Sequence, residues 1–195
     1  LRWTALDPGT AATAIFALST AQDFEEFRSA AALFDVPAQN LIYADVEGNI
    51  GYQTPGRLPV RGAGDGWMPQ PGWDSSYDWT GFIPFDELPV SYNPASGYIV
   101  TANNAIVTDD YPYFLSRDWD YGYRADRIAH LIERRVAAAP LTAQDMREIQ
   151  MDSEMWIGKR LASAMDDVEV KGAGTEDAVA PVSYTHLTLP TTPYV

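Results

Sequence analysis

Two β-rich runs flank a short polar turn: Asn40-Leu41-Ile42-Tyr43-Ala44-Asp45-Val46, then Glu47-Gly48-Asn49, then Ile50-Gly51-Tyr52-Gln53-Thr54. β-Branched and aromatic residues suit a pleated surface, and a Gly-Asn turn closes two such runs into an antiparallel hairpin. This hairpin places a sheet near the start of the chain and orders what surrounds it. Upstream, Leu1 to Leu6 and Ala14 to Leu18 read as strands separated by Asp7-Pro8-Gly9. Gln22 to Phe34 reads as a helix: Phe24, Phe27, Ala31 and Phe34 recur at helical spacing. Asp23, Glu25 and Glu26 put acids in its first turn, where the helix dipole favours them. Asp35-Val36-Pro37 ends it.

Downstream, Pro55 to Ser96 holds many of the 14 Gly and 14 Pro residues and has no helical period. Its load of Trp67, Trp73, Tyr77, Trp79, Phe82 and Phe85 is too apolar to leave in water, so ordered loops wrapped over a core are expected. Gly97 to Ala102 reads as one more strand. The pattern then turns helical. Arg124 to Arg135 carries Ile128, Leu131 and Ile132 on one face. Thr142 with Asp145 three residues on is a variant of the capping box. One long helix is expected from there to about Met165, with Met146, Ile149, Ser153 and Trp156 on one face. Ile157, Leu161 and Met165 widen that stripe, so the helix should touch two neighbours. The division expected is a core with loops over 1–122, a helical segment over 123–166, and no defined pattern over 167–181. Residues 182–195 are Thr-rich and acid-free and read as a non-native tail.

Composition removes several function classes. The 195 residues carry 27 acids and 13 bases, a net charge of −14, and the bases form no patch that could grip nucleic acid. No apolar run approaches the roughly 20 residues of a membrane span. The chain opens on Leu1 with no initiator Met or leader and reads as beginning inside a longer protein. Cysteine is absent, which excludes disulfides and thiolate metal sites. With only His130 and His186, a zinc site or a His-dependent triad is hard to build. His130 reads as an ordinary helix residue, and Asp109-Asp110 and Asp118-Trp119-Asp120 read as turn or cap residues, not calcium ligands. Phosphate-binding, dinucleotide and nucleophile-elbow motifs are missing.

The hairpin has a second meaning. Its run from Asn40 to Tyr52 resembles the "Asn-x-x-Tyr-Ala-Asp-x-x-Gly-Asn-Ile-Gly-Tyr" segment of the penicillin acylase family of N-terminal-nucleophile hydrolases. The resemblance continues in order through Gly56-Arg57-Leu58-Pro59-Val60-Arg61, then Gly72-Trp73 and Trp79-Thr80-Gly81-Phe82-Ile83-Pro84-Phe85, then Asn93-Pro94-Ala95-Ser96-Gly97-Tyr98-Ile99 to Asn103-Asn104. Tyr123-Arg124-Ala125-Asp126-Arg127-Ile128 and Asp145-Met146 to Asp152 match the helical part that follows, so about residues 1 to 165 are covered.

The resemblance implies an α+β fold: part of a four-layer αββα sandwich with aromatic-rich loops and the start of a helical insertion. It implies a precursor that cuts itself so that a serine becomes the first residue of the large subunit, its own α-amino group serving as base. Leu1 is not Ser, Cys or Thr, so that nucleophile lies outside this stretch, and the piece by itself is expected to be inactive. The family's oxyanion asparagine falls on Asn40. Read from the residues alone, Asn40 is a cap or turn after Pro37-Ala38; read through the resemblance, it is a neutral amide donor to a tetrahedral oxyanion. Arg61 falls on an arginine that orders the site beside the nucleophile, while Arg57 has no such counterpart. Asn103 and Asn104 are expected to be structural. Trp67, Trp73 and Trp79 are expected to pack over a core and not to form a ligand platform.

The implied activity is hydrolysis of a linear amide, with penicillins, N-acyl homoserine lactones and acylated lipopeptides as candidate substrates. No cofactor is needed for the chemistry; a structural calcium is possible in the parent, with no ligand assignable here. The implied partners are the small (alpha) subunit and the rest of the large one, in the periplasm or outside the cell. A rival reading is an acidic, Trp-rich binding module for carbohydrate or peptide. A third is a structural piece whose open sheet edges aggregate.

Overall fold

The structure, a computed structural model, describes residues 1–166. The chain divides into two units: Leu1–Thr101 with Ala105–Trp119, and Ala102–Asn104 with the chain from Asp120 onward.

The first unit is organised by the hairpin. Strand β1 (Leu41–Ala44) pairs antiparallel with β2 (Ile50–Gln53), Leu41 opposite Gln53 and Ala44 opposite Ile50. Asp45 closes the turn. Its carboxylate accepts from the Glu47 and Asn49 backbone N–H groups at 3.0 and 2.9 Å and from Asn49 Nδ2 at 2.8 Å. Gly48 sits at φ +89°, a conformation that only glycine adopts freely. The expected hairpin is therefore present, with its turn built from its own side chains.

The third strand of this sheet comes from the stretch expected to be loop. Strand β5 (Val90–Tyr92) pairs antiparallel with β2 on its free edge, giving the order β1-β2-β5, and the Thr54 N–H extends the pairing to Pro89 O at 2.9 Å. The strand expected at Gly97–Ala102 does not form. There the backbone is taken up locally: Ser96 Oγ donates to Tyr98 O and the Ala102 N–H donates to Asn104 Oδ1, bonds that compete with a ladder. A second, two-stranded sheet joins β3 (Pro59–Arg61) to β4 (Trp79–Phe82), with an irregularity between Val60 and Arg61.

Helix α1 (Ala11–Leu18) occupies the segment expected to be a strand, and Leu1–Leu6 forms only one 3₁₀ turn over Thr4–Leu6. A short apolar run looks alike as strand or helix, and here Ala11, Ala12, Ala14 and Ala17 tip the balance toward helix. Helix α2 (Phe24–Ala31) is shorter than expected at both ends; Asp23 caps it by accepting from the Glu26 N–H at 2.8 Å. Phe24 and Phe27 are buried against Tyr43 of β1, with ring centroids at 5.4 and 5.3 Å, and Phe24 stacks on Tyr92 of β5 at 4.5 Å. Gly51 makes this possible: a Cβ there would lie 2.3 Å from Phe24 Cε2.

The aromatic loops split in two. Tyr77, Trp79, Phe82 and Phe85 are half-buried. Trp67 and Trp73 are 65% and 90% exposed, so the expectation that they pack over a core does not hold within these residues.

The second unit is helical: α3 (Tyr123–Val136), α4 (Ala143–Gln150) and α5 (Trp156–Asp166). The capping box is present, with Thr142 accepting from the Asp145 N–H and Asp145 accepting from the Thr142 N–H at 2.8 Å. The single long helix is not: it breaks between Gln150 and Trp156. Arg127 of α3 holds Asp152 through Nε and Nη2 at 2.9 and 2.8 Å, and Asp152 Oδ1 accepts from the Glu154 N–H. A side chain bound outward and folded onto the next backbone N–H cannot sit in a continuous helix. The expectations for 167–181 and 182–195 lie outside the described residues. Among the described residues no helix is long and apolar enough to cross a membrane.

Candidate functional site

Asn40 stands one residue before β1 and is exposed. Extending the β1–β2 register one step sets it opposite Thr54, and Tyr52 lies two residues along the same strand face. The side chains meet accordingly. The Tyr52 hydroxyl donates to Asn40 Oδ1 at 2.6 Å and lies 2.5 Å from Thr54 Oγ1. Tyr52 and Thr54 are 7% and 4% exposed. Burial pushes the Tyr52 phenol above its usual range, against a smaller downward effect of the Thr54 bond, so it stays a neutral donor. Among the described residues, no bond engages the Asn40 amide NH₂ or ties it to its own turn. Asn40 thus has its carbonyl held by Tyr52, with no bond to its NH₂ among the described residues.

The strand end that carries this face is locked. Gln53 is fully buried; its Oε1 accepts from Arg28 Nε at 3.0 Å and its Nε2 donates to Thr54 O at 3.0 Å. Arg28 also pairs with Asp86 at 3.2 Å. A buried amide with both ends satisfied fixes the backbone on which Tyr52 and Thr54 sit. None of these residues stood out in the sequence as chemistry. The available signal was Tyr52 and Thr54 at strand spacing opposite Asn40.

Arg61 ends β3 and is half-buried. Its guanidinium lies against Gly66, where a Cβ would come within 2.7 Å of Nε, and Gly66 has φ +79°. Among the described residues it has no carboxylate partner. It borders a cavity of about 140 Å³ lined also by Pro59, Val60, Ile83, Tyr113 and Phe114. A cation without a carboxylate partner beside a hollow can attract or orient an anionic or carbonyl group. No hydrogen bond or ion pair joins Arg61 to Asn40 among the described residues, and the two belong to different sheets.

The remaining candidates make contacts of their own. The Arg57 N–H donates to Asp35 O at 2.8 Å and its guanidinium covers the Phe82 ring at 4.4 Å. Asn103, at φ +63°, accepts from Arg124 Nη2 at 2.7 Å, and Asn104 accepts from the Ala102 N–H. His130 meets Trp156 edge-on at 5.0 Å. Asp120 caps a turn at the Gly122 N–H, and Asp110 binds the Thr108 hydroxyl. No three acidic or imidazole side chains converge among the described residues, so they offer no cage for a metal ion. The helical unit holds a cavity of about 640 Å³ walled by Ile128, Leu131, Ile149, Trp156 and Ile157; Asp120 borders it, and neither Asn40 nor Arg61 does.

The pattern of the family described as penicillin amidase matches residues 1–187. The chain is 41% identical to a penicillin acylase 2 proenzyme of Pseudomonas sp. (strain SE83) over 114 residues, 58% of this chain and 14% of that protein. It is 35% identical to the acyl-homoserine lactone acylase QuiP of Pseudomonas aeruginosa over 152 residues, 78% of this chain and 18% of that protein. Its structure is similar to that of a thermostable penicillin G acylase from Alcaligenes faecalis, with TM-score 0.64 and 27% identity over 88% of this chain and 31% of that one. The chain therefore spans under a third of the length of each of these relatives. Together, the match over 1–187 and the shared structure establish that this chain belongs to the penicillin amidase family.

Proposed function

We propose that this chain supplies the oxyanion-binding asparagine of an amidase that hydrolyses a linear amide into a carboxylic acid and an amine. The observation that carries the proposal is Asn40: its carbonyl is held by Tyr52 and its NH₂ is left outward and free among the described residues. Attack on an amide carbonyl by a serine hydroxyl moves charge onto the carbonyl oxygen. The carbon–nitrogen bond then breaks, the amine leaves with a proton, and water cleaves the acyl ester. A preorganised neutral donor at that oxygen lowers the barrier by about 3–4 kcal/mol. Arg61 orders the site through its unpaired cation.

The serine, its α-amino base and the second oxyanion donor belong to other parts of the enzyme, released by self-cleavage of a precursor. The small subunit and the rest of the large one are thus the partners of this chain, which alone is inactive. The setting is a four-layer αββα sandwich to which the two sheets contribute. Penicillins and N-acyl homoserine lactones are the candidate substrates, following the names of the relatives. Location is outside the cytoplasm; a structural calcium is possible in the parent, with its ligands unassigned.

The test uses the full-length precursor. The proposal expects self-cleavage before a serine, and a loss of roughly 10²–10³-fold in kcat for Asn40→Ala with the fold intact. A fully active Asn40→Ala enzyme would sink it. The exposure of Trp67 and Trp73 favours a second reading, a module that stacks on carbohydrate or peptide rings. Saturable glycan binding lost in Trp73→Ala would support that reading; its absence leaves the amidase.

A further inference from the structure

We propose that Tyr52, with Thr54 behind it, is a positioning residue that sets which way the Asn40 amide faces. The inference rests on the oxyanion role of Asn40 argued above. An asparagine amide has two nearly isosteric orientations, one presenting NH₂ outward and one presenting the carbonyl oxygen. Only the first can stabilise an oxyanion; the second would set lone pairs against the developing charge.

The choice is made by one proton. The Tyr52 hydroxyl has a single hydrogen, and it is given to Asn40 Oδ1 at 2.6 Å. Thr54 Oγ1 lies 2.5 Å from the same oxygen. With the Tyr52 proton spent, the Thr54 hydroxyl must be the donor in that contact. The direction thus runs from Thr54 to Tyr52 to Asn40, and it ends with the NH₂ free. If Tyr52 instead donated to Thr54, its oxygen would draw the Asn40 NH₂ inward and the outward donor would be lost. Tyr52 and Thr54 are buried and so is the contact between their hydroxyls, so water competes little for the proton they share. Donation into the amide oxygen also polarises the amide and strengthens the outer N–H groups.

The experiment is a double-mutant cycle in the full-length, self-processed enzyme, with kcat and KM measured on an acyl-amide substrate for Tyr52→Phe, Asn40→Ala and the pair. Tyr52→Phe is expected to lower kcat on the order of tenfold with KM unchanged, and to cost nothing further once Asn40 is Ala. Thr54→Val should lower kcat in the same sense, and Thr54→Ser, which keeps the donor, should restore it. An equal loss for Tyr52→Phe in both backgrounds, or equal losses for Thr54→Val and Thr54→Ser, overturns the relay and leaves a packing role. A wild-type kcat for Tyr52→Phe in an enzyme that depends on Asn40 also overturns it. Full activity of Asn40→Ala is a different result: it removes the oxyanion reading itself.

Discussion

Arg127 grips Asp152 with both prongs of its guanidinium, Nε to Oδ1 at 2.9 Å and Nη2 to Oδ2 at 2.8 Å. A further arm reaches Glu154 at 3.1 Å. The pair is mostly buried, with 14% and 23% of the side chains exposed, and it is what ends α4 and starts α5 as separate helices. Lysine offers one point charge in place of the fork. Arg127→Lys is therefore expected to destabilise the helical unit by about 2 kcal/mol. Hydrogen exchange in the Trp156–Asp166 helix should quicken by roughly 5–30-fold while the hairpin amides stay unchanged.

The same contact makes the helical unit sensitive to acid. The Arg127 hydrogen bonds hold the Asp152 carboxyl below its ordinary 3.8, and the Lys159 bond holds Glu154 below its ordinary 4.5. A depressed folded-state value means the stabilisation is complete above the ordinary value and is lost as pH falls through the folded one. Helical circular dichroism of this unit should hold down to about pH 4.5 and decline below it. Asp152→Asn should lower the plateau and flatten the decline; an unchanged titration curve in that variant would place the sensitivity elsewhere.

At the opposite extreme of pH the hairpin is the sensitive part. Burial and the bond to Asp45 push the Tyr43 hydroxyl up to about 12 from an ordinary 10.0. The neutral phenol donates to Asp45 at 2.9 Å, so its stabilisation is complete below pH 10 and is lost as pH rises toward 12. A phenolate absorbance titration should show Tyr43 among the tyrosines that ionise late. Asp45→Asn should bring it earlier, since it removes the negative charge beside the ring.

Phe24 and Gly51 test the packing of helix on sheet. A methyl group on Gly51 would stand 2.3 Å from the Phe24 ring, against a side chain already enclosed by Tyr43 and Tyr92. Gly51→Ala should cost about 1–3 kcal/mol in urea unfolding. Phe24→Ala should cost about 3–5 kcal/mol by leaving a cavity. Combining them should cost less than the sum, because the smaller residue makes room for the added methyl.

What could be read in advance followed from local chemistry. The hairpin was legible because its turn is self-contained: Asp45, Gly48 and Asn49 satisfy one another within a few residues. The Thr142–Asp145 box was legible for the same reason. Of the candidate site, Asn40 and Arg61 could be named through a resemblance, but nothing in the linear pattern says what holds the Asn40 amide or that Arg61 lies on another sheet. The Ala11–Leu18 segment was misread as a strand because a short apolar run carries no period to choose with.

By itself the sequence determined the elements whose hydrogen bonds close within a few residues, together with the family to which the chain belongs. Tertiary structure alone decided the rest. Val90–Tyr92 becomes a strand because β2 offers it an open edge, not because three residues prefer to be extended. The helix after Thr142 breaks because Arg127, 25 residues upstream of Asp152, claims that carboxylate. The Asn40 carbonyl is held because Tyr52, twelve residues on, reaches it across the hairpin. In each case the deciding partner is distant along the chain, and only folding brings it within bonding range.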